Sequence, residues 1–384
     1  MQFISADKIY PISKPPLEKG VILLDKEKKI VDVLKNNDGI DKGNIKYYEG
    51  SISPGFVNSH CHLEISHLKH KCNKHKGLVH FLQEVVKERN QFTKEDILTA
   101  IEREDVAMLR NGIVAVGDIC NSSDTIETKK SSKIYYHNFI ELIGFQPSSA
   151  STVFQKGKLL AEEFSSSGLS VSYSPHAPYS VSDELKKIIF KNNSGKITSI
   201  HNQECEAENE LFKIGSGDFL SLYKNFGIDI TFHQPSGKSS LQTFMNEVEF
   251  LTKIALVHNT FTLEEDIEYV NNLPVDLFFC ICINANLFIE SKLPPIDLLL
   301  DKNQKIILGT DSLASNHELS ILNEIDLILK SFNSVKIEDA LKWATLNGAE
   351  FLGIQNQFGS IDIGKKPGLI VFDEKEFKVK EVIF

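Results

Sequence analysis

Ser53-Pro-Gly-Phe-Val-Asn-Ser-His-Cys-His-Leu-Glu64 is the stretch whose reading decides the fold. A short apolar run closes on two histidines, His60 and His62, one residue apart. In a β-strand, residues i and i+2 face the same side. Both imidazoles therefore aim at one point, where a divalent metal can sit. A His-x-His pair by itself serves local hydrogen bonding as readily as metal binding, so the rest of the chain has to decide.

Working outward, the same texture repeats. Apolar runs of strand length occur at Gly55–Asn58, Gly112–Asp118, Lys133–Ile140, Leu169–Ser174, Ile197–His201, Ile254–His258, Leu277–Cys282 and Lys305–Asp311. Helical patterns fall between many of them: Gly77–Gln91, Ile97–Leu109, Asp183–Phe190, Leu263–Val270, Leu319–Leu329 and Ile337–Leu346. In the first, Leu78, Phe81, Leu82, Val85 and Val86 recur at three- and four-residue spacing. Eight such strands alternating with helices predict an α/β fold, a distorted (β/α)8 TIM barrel. No Gly-x-Gly-x-x-Gly follows a strand, which weakens an open dinucleotide-binding sheet. Ser236-Gly-Lys-Ser-Ser240 imitates the end of a P-loop, but the first glycine of that motif is replaced by Phe232, so it reads as a polar loop.

Both ends of the chain read differently. Residues 1–53 alternate short apolar runs with turns, Asn36–Gly39 being the strongest turn signal. Residues 359–384 repeat that pattern, so a small β-sandwich built from both termini is expected, with residues 54–358 as the catalytic barrel. The chain of 384 residues carries 52 acidic and 42 basic side chains, and this acidic balance argues against nucleic acid or an anionic membrane as partner. Among the basic residues only Arg89, Arg103 and Arg110 are arginines. Six cysteines in this length make no disulfide framework and read as small buried hydrophobes of a reducing compartment. Neither a signal peptide nor an apolar span of about 18 residues is visible, so a cytoplasmic protein with a small-molecule substrate is expected.

The active site of a (β/α)8 barrel lies at the carboxyl ends of its strands. Those ends here are polar: His60 and His62, the segment Ser174–Tyr179 with His176, His201 with Glu204 close behind, His258-Asn259, Asn284-Ala-Asn286, and Thr310-Asp311-Ser312. Histidines serving only as core residues would rarely fall this way. Three imidazoles and a carboxylate suit Zn²⁺ best, with Fe²⁺ and Mn²⁺ acceptable. Such a site activates water, and Glu204 lies where a proton acceptor is needed.

This pattern resembles the amidohydrolase superfamily, in its mononuclear deaminase and chlorohydrolase branch, over nearly the whole chain. The carriers are Pro54–Leu63, His201-Asn-Gln-Glu204, Leu256-Val-His-Asn259, Leu308–Asn316, Ala344–Ala349 and Gly364–Asp373. The resemblance implies His60, His62, His201 and Asp311 as ligands of one divalent metal, Glu204 as proton shuttle and His258 as the group that polarises the substrate. It also implies a hydrolytic attack on an electron-poor ring carbon bearing an amino group, with Asp311 orienting the water. Strand 4 offers no lysine to bridge a second metal. Two departures stand out: Cys282-Ile-Asn-Ala-Asn286 lacks the usual proline of its strand, and Pro367-Gly368 replaces the usual Ala-Asp.

Finer details resemble the aminofutalosine deaminase-like group: His62–Lys69, Phe139–Phe145 and Asp311–Asn316. That group deaminates an adenine nucleoside on the way to menaquinone, on a substrate bearing a benzoate, and the family suggests a homodimer. The expected substrate is therefore an aminopurine-type ring, such as that of aminodeoxyfutalosine. Adenosine, methylthioadenosine, S-adenosylhomocysteine, guanine or a cyclic amide are the alternatives, and a non-catalytic metal-binding scaffold is the alternative of a different class. None of the three arginines ends a strand, so a substrate carboxylate should meet Lys, Ser or backbone groups. His176, Glu64, Asn286 and Ser312 are the candidate substrate contacts, although His176 also reads as a structural cap and Glu64 as a ligand-orienting carboxylate. His67, His70, His75 and His80 read as a solvated face, and Cys280 with Cys282 as core.

Overall fold

The computed structural model describes residues 1–36 and 40–383. Most of the Asn36–Gly39 turn lies outside the described residues. The strands from the chain ends are β1 (Gln2–Ile9), β2 (Leu17–Glu18), β3 (Val21–Leu24), β4 (Ile30–Leu34), β5 (Ile45–Pro54), and then β14 (Leu369–Asp373) and β15 (Lys378–Ile383). They form one seven-stranded mixed sheet in the order β15-β14-β5-β1-β3-β4, with β2 on β1. Ile4, Ile22, Ile52, Leu369 and Val371 pack on one another within it. The pairing of β5 with β14, Ile52 opposite Val371, ties the two ends of the chain together.

Between these ends lie eight parallel strands in two groups of four. The first group is β6 (Phe56–Cys61), β7 (Ile113–Cys120), β8 (Tyr135–Leu142) and β9 (Ser170–Pro175). The second is β10 (Ile197–Asn202), β11 (Lys253–His258), β12 (Asp276–Ile281) and β13 (Ile306–Leu308). All eight coincide with the apolar runs of the sequence, as expected of parallel strands buried on both faces. β7 is buried along its whole length.

The two seams between the groups close the barrel. On one side, Thr310 and Asp311 donate their backbone N–H groups to the His60 carbonyl at 3.0 and 3.1 Å, and Cys61 bridges Asp311. On the other, His201 N donates to His176 O at 2.9 Å and Thr198 Oγ1 to Tyr173 O at 2.8 Å. β13 is shorter than the expected Lys305–Asp311 run, because the chain leaves the strand at Gly309 to reach the His60 carbonyl. A Cβ at Gly309 would lie 2.8 Å from His60 Cβ, so only glycine passes there.

The helices are α1 (Leu78–Glu88), α2 (Lys94–Arg110), α3 (Ile126–Ser131), α4 (Ala150–Ser166), α5 (Asp183–Asn192), α6 (Glu206–Ile214) and a further set after β10. α2 starts in a capping box in which Thr93 and Asp96 satisfy each other's backbone N–H. α4 is absent from the sequence expectation. Its buried face is Ala150, Phe154, Gly157, Ala161 and Phe164, so three of five positions are small and the hydrophobic period is muted. The small residue is required: a Cβ on Gly157 would fall 2.2 Å from Leu142 Cδ2. No helix among the described residues is long and apolar enough to cross a membrane.

Candidate active site

Six of the residues singled out from the sequence meet at one end of the barrel. β6 delivers His60 from inside the strand and His62 just beyond it, and their Nε2 atoms lie 3.1 Å apart. β10 delivers His201, whose Nε2 is 3.3 Å from that of His62. Asp311 follows β13 in a left-handed backbone conformation, φ 56°. This turn brings its Oδ1 to 3.3 Å from His62 Nε2 and 3.6 Å from His60 Nε2. Ser315 Oγ donates to the other Asp311 oxygen and fixes the carboxylate plane.

The donor set fits a cation. His201 Nδ1 donates to the His176 carbonyl at 2.8 Å, so its Nε2 carries a lone pair. Burial drives the His62 imidazole down to about 3, His258 to about 4 and His201 well below its usual range, so the rings are uncharged donors at neutral pH. Burial alone would raise the Asp311 carboxyl, but the hydrogen bond to His60 and the fields of His62 and His258 hold it well below the carboxylate range. The Nε2 atoms of His60, His62 and His201 thus converge at 3.1–3.3 Å spacings beside that carboxylate, a donor arrangement that suits a cation. His60, His201, His258 and Asp311 also place one donor atom each within 4.8 Å of one another. His62 and His258 thus both reach the cluster. The distances from His62 to His60, His201 and Asp311 are 3.1–3.3 Å.

Glu204 and His258 stand beside the cluster, with Glu204 Oε1 3.6 Å from His258 Nε2. Gln203 takes a left-handed turn, φ 45°, and Glu208 accepts from the backbone N–H groups of Gln203 at 3.0 Å and Glu204 at 3.3 Å. Burial pushes the Glu204 carboxyl well above its usual range, and Asp311 and Glu208 add to this. His258 also has a left-handed backbone, φ 75°, and its Nδ1 donates to Asn286 Oδ1 at 2.9 Å. Asn286 Nδ2 donates back to the His258 carbonyl at 3.1 Å. Asn286 was expected to touch substrate; it is fully buried behind His258 and is absent from the cavity wall.

The cavity above the cluster is lined by the other three expected contacts, His176, Glu64 and Ser312. His176 Nδ1 pairs with Ser180 Oγ at 2.6 Å, and burial lowers its imidazole to about 4. Glu64 Oε2 accepts from Asn121 N, Ser122 N and Ser122 Oγ, each at 2.9 Å, while burial raises its carboxyl to about 7. His67, His70, His75 and His80 do not line the cavity, and Cys280 and Cys282 are core residues.

Several cavity residues escaped the sequence reading. Glu141, at the end of β8, is buried and its carboxyl is likewise raised to about 7 by burial. Arg89 also lines the wall from a helix end, so an arginine stands where Lys, Ser or backbone groups were expected to meet a substrate carboxylate. It continues the stripe Leu78, Leu82, Val85 of α1, a three- and four-residue spacing that could have placed it. Phe81, Phe145, Tyr223 and Phe226 give the outer cavity an apolar wall.

This fold and this strand-end cluster agree with the comparison of the sequence to protein families. Residues 51–384 match the amidohydrolase family, and the chain belongs to it. The expectation of a hydrolase acting on carbon–nitrogen bonds other than peptide bonds is met at that level. Among similar proteins, an adenosine deaminase of Helicobacter pylori is 26% identical over 88% of this chain and 82% of its own. An aminodeoxyfutalosine deaminase of Nitratiruptor sp. is 25% identical over 94% of this chain and 88% of its own. In structure, the Helicobacter pylori aminofutalosine deaminase in complex with methylthio-coformycin has TM-score 0.83 at 22% identity, covering 100% of this chain and 98% of its own. The zinc complex of the atrazine chlorohydrolase TrzN from Arthrobacter aurescens has TM-score 0.73 at 18% identity, covering 97% and 87%. At these identities the structural likeness speaks for the fold.

Proposed function

We propose that the protein is a metal-dependent hydrolytic deaminase that releases ammonia from the aminopurine ring of an adenine nucleoside, with aminodeoxyfutalosine as the leading candidate. The observation that carries this reading is the Glu204 carboxyl held 3.6 Å from His258 Nε2 beside the convergent donors. A scaffold that only bound metal would need the ligands and neither of these groups. The apolar outer cavity and the deaminases among the similar proteins support an aromatic, nucleoside-sized substrate.

In this reading His60, His62, His201 and Asp311 hold one divalent ion, Zn²⁺ before Fe²⁺ or Mn²⁺, which when bound supplies a water-derived nucleophile at neutral pH. Asp311, ionised, accepts a hydrogen bond from the attacking water and sets its direction. Glu204 takes one proton from the water and gives it to the ring nitrogen, then carries the second to the leaving ammonia. His258 shares a proton with Glu204 as charge develops at the attacked carbon, and Asn286 keeps its ring in place. His176, Ser312 and Glu64 bind and orient the ring and its substituent. We also propose that residues 1–53 and 359–384 form one β unit of the chain, distinct from the 54–358 barrel.

Ammonia release from the metal-loaded protein tests the function. Aminodeoxyfutalosine, adenosine, methylthioadenosine, S-adenosylhomocysteine and guanine are the panel, and turnover is expected on the adenine nucleosides. Silence across the panel with metal bound would overturn the reading in favour of a cyclic-amide hydrolase or a scaffold. Glu204→Gln should keep metal stoichiometry while kcat falls by about 10²–10⁴. Full activity in that variant would remove Glu204 from the mechanism.

A further inference from the structure

Gln203, Asn259 and His258 hold left-handed backbones, φ 45°, 56° and 75°, in the two turns that carry Glu204 and His258. Residues other than glycine stay in that region only where their surroundings over-determine it. Gln203 is buried, and both its backbone and its side chain are engaged. Its N–H donates to Glu208 Oε1 at 3.0 Å, and its carbonyl accepts from Phe261 N at 3.0 Å. Its side-chain Oε1 accepts from Thr262 Oγ1 at 2.7 Å. Its Nε2 donates to Asp266 Oδ2 at 2.8 Å and to Asn209 Oδ1 at 3.2 Å. The turn after β10 is therefore fastened to Phe261, Thr262 and Asp266, which follow His258 closely in the chain.

Asp266 anchors this arrangement. It is buried in the helix Glu264–Val270. Its two oxygens accept four hydrogen bonds, from Gln203 Nε2, Leu263 N, Ser239 Oγ and Gln242 Nε2. An ionised carboxylate offers about four such positions, so its acceptor capacity is filled. Ser239 belongs to Ser236-Gly-Lys-Ser-Ser240, the stretch that imitates a P-loop. Its hydroxyl is turned onto Asp266, and the Ser240 N–H onto Asn209 Oδ1 at 3.2 Å. Both serines are buried, so the stretch serves this network and not a phosphate.

We propose that Gln203, held by Asp266 and Thr262, is a positioning residue that sets the Glu204 carboxyl against His258 across two neighbouring strands. This rests on the deaminase reading above and adds to it a clamp outside the cavity wall, since none of Gln203, Thr262 and Asp266 lines it.

Two variants test the clamp. Gln203→Met keeps the length of the side chain and loses its hydrogen bonds. Thr262→Val loses one of those bonds and keeps the shape, so it serves if Gln203→Met does not fold. With metal loaded, kcat should fall about 10–100-fold for Gln203→Met and about 3–10-fold for Thr262→Val, with KM within about 2-fold and metal content unchanged. In the Glu204→Gln background the same changes should lower the residual kcat by less than about 2-fold, because the group they position is gone. An equal penalty in both backgrounds, or a loss confined to KM, would overturn the clamp. Hydrogen exchange reads it without substrate. The backbone amides of Gln203 and Glu204 should exchange about 10-fold faster in both variants, with those of β7 unchanged. Unaltered exchange at those two amides would also overturn the clamp. Faster exchange there, with ammonia released from no aminopurine by the wild-type protein, would sink the deaminase reading and leave the clamp standing.

Discussion

Asn286 shows how a residue can matter to the site without lining it. It accepts from His258 Nδ1 and donates to the His258 carbonyl, so one amide fixes both the ring and the left-handed backbone beneath it. Asn286→Ala leaves the buried Nδ1 without its acceptor. The expected result is a kcat about 10-fold lower with metal content unchanged and KM little moved. Steady-state kinetics with elemental analysis checks this, and a change confined to KM would make Asn286 a substrate contact after all. The sequence supplied this residue as polar and near a strand end. It could not say which way the side chain turns, because that depends on the pairing of β11 with β12 and on the helix Ile283–Glu290 packing behind them.

Single elements also carry charge that the site depends on. Lys129 of α3 is fully buried and donates to Asp118 Oδ2 at 2.5 Å and Asn138 Oδ1 at 2.7 Å, so α3 is pinned to β7 and β8. Asp118 Oδ1 in turn accepts from Leu63 N at 2.9 Å, directly after the His60–His62 pair. Lys129→Met strands a buried carboxylate and should cost about 3–5 kcal/mol of stability. The double variant with Asp118→Asn should recover most of it, and urea unfolding of the three proteins decides. β8 carries a pH effect through His137, which is buried and pairs with Ser172 Oγ of β9 at 2.8 Å. Burial lowers its imidazole to about 4. The unfolded chain therefore binds a proton between about pH 6.5 and 4 that the folded chain does not. Its stability contribution is complete above pH 6.5 and lost on acidification toward pH 4, on the order of 3 kcal/mol. His137→Phe should make acid unfolding shallower by about one proton over that window, as followed by circular dichroism. An unchanged slope would mean that the folded chain protonates the ring as readily as the unfolded chain does.

At the scale of the whole molecule, the donor cluster spans both halves of the barrel. His60 and His62 come from β6, His201 from β10 and Asp311 from the turn after β13, so one ion would cross-link strands of the two four-stranded groups. A ligand present at a thousand times its Kd stabilises the folded state by about 4 kcal/mol. Chelation should therefore lower Tm and abolish turnover together, with both restored by Zn²⁺. His201→Ala should show no chelator-dependent shift. Complete metal removal with Tm unchanged, measured by scanning calorimetry, would show that the seam holds without the ion. The same scale explains why the cavity walls were hidden. Arg89 caps α1 and Glu141 lies in β8; helical spacing puts Arg89 on the apolar face of α1, but only the tertiary fold sets that face above the strand ends.

The sequence by itself determined the strands and the polar residues that end them. Doubly buried parallel strands read as continuous apolar runs, and a histidine or carboxylate closing such a run is conspicuous. It also placed Glu204, because that residue follows His201 closely in the chain. Tertiary structure decided the rest. Barrel closure brought His60 and Asp311 within reach of each other across 251 positions of sequence, turned Asn286 behind His258, and clamped Gln203 to Asp266. It hid α4 behind small residues and delivered Arg89 to the cavity from a helix. These depend on long-range register and on packing against neighbours, which local pattern does not encode.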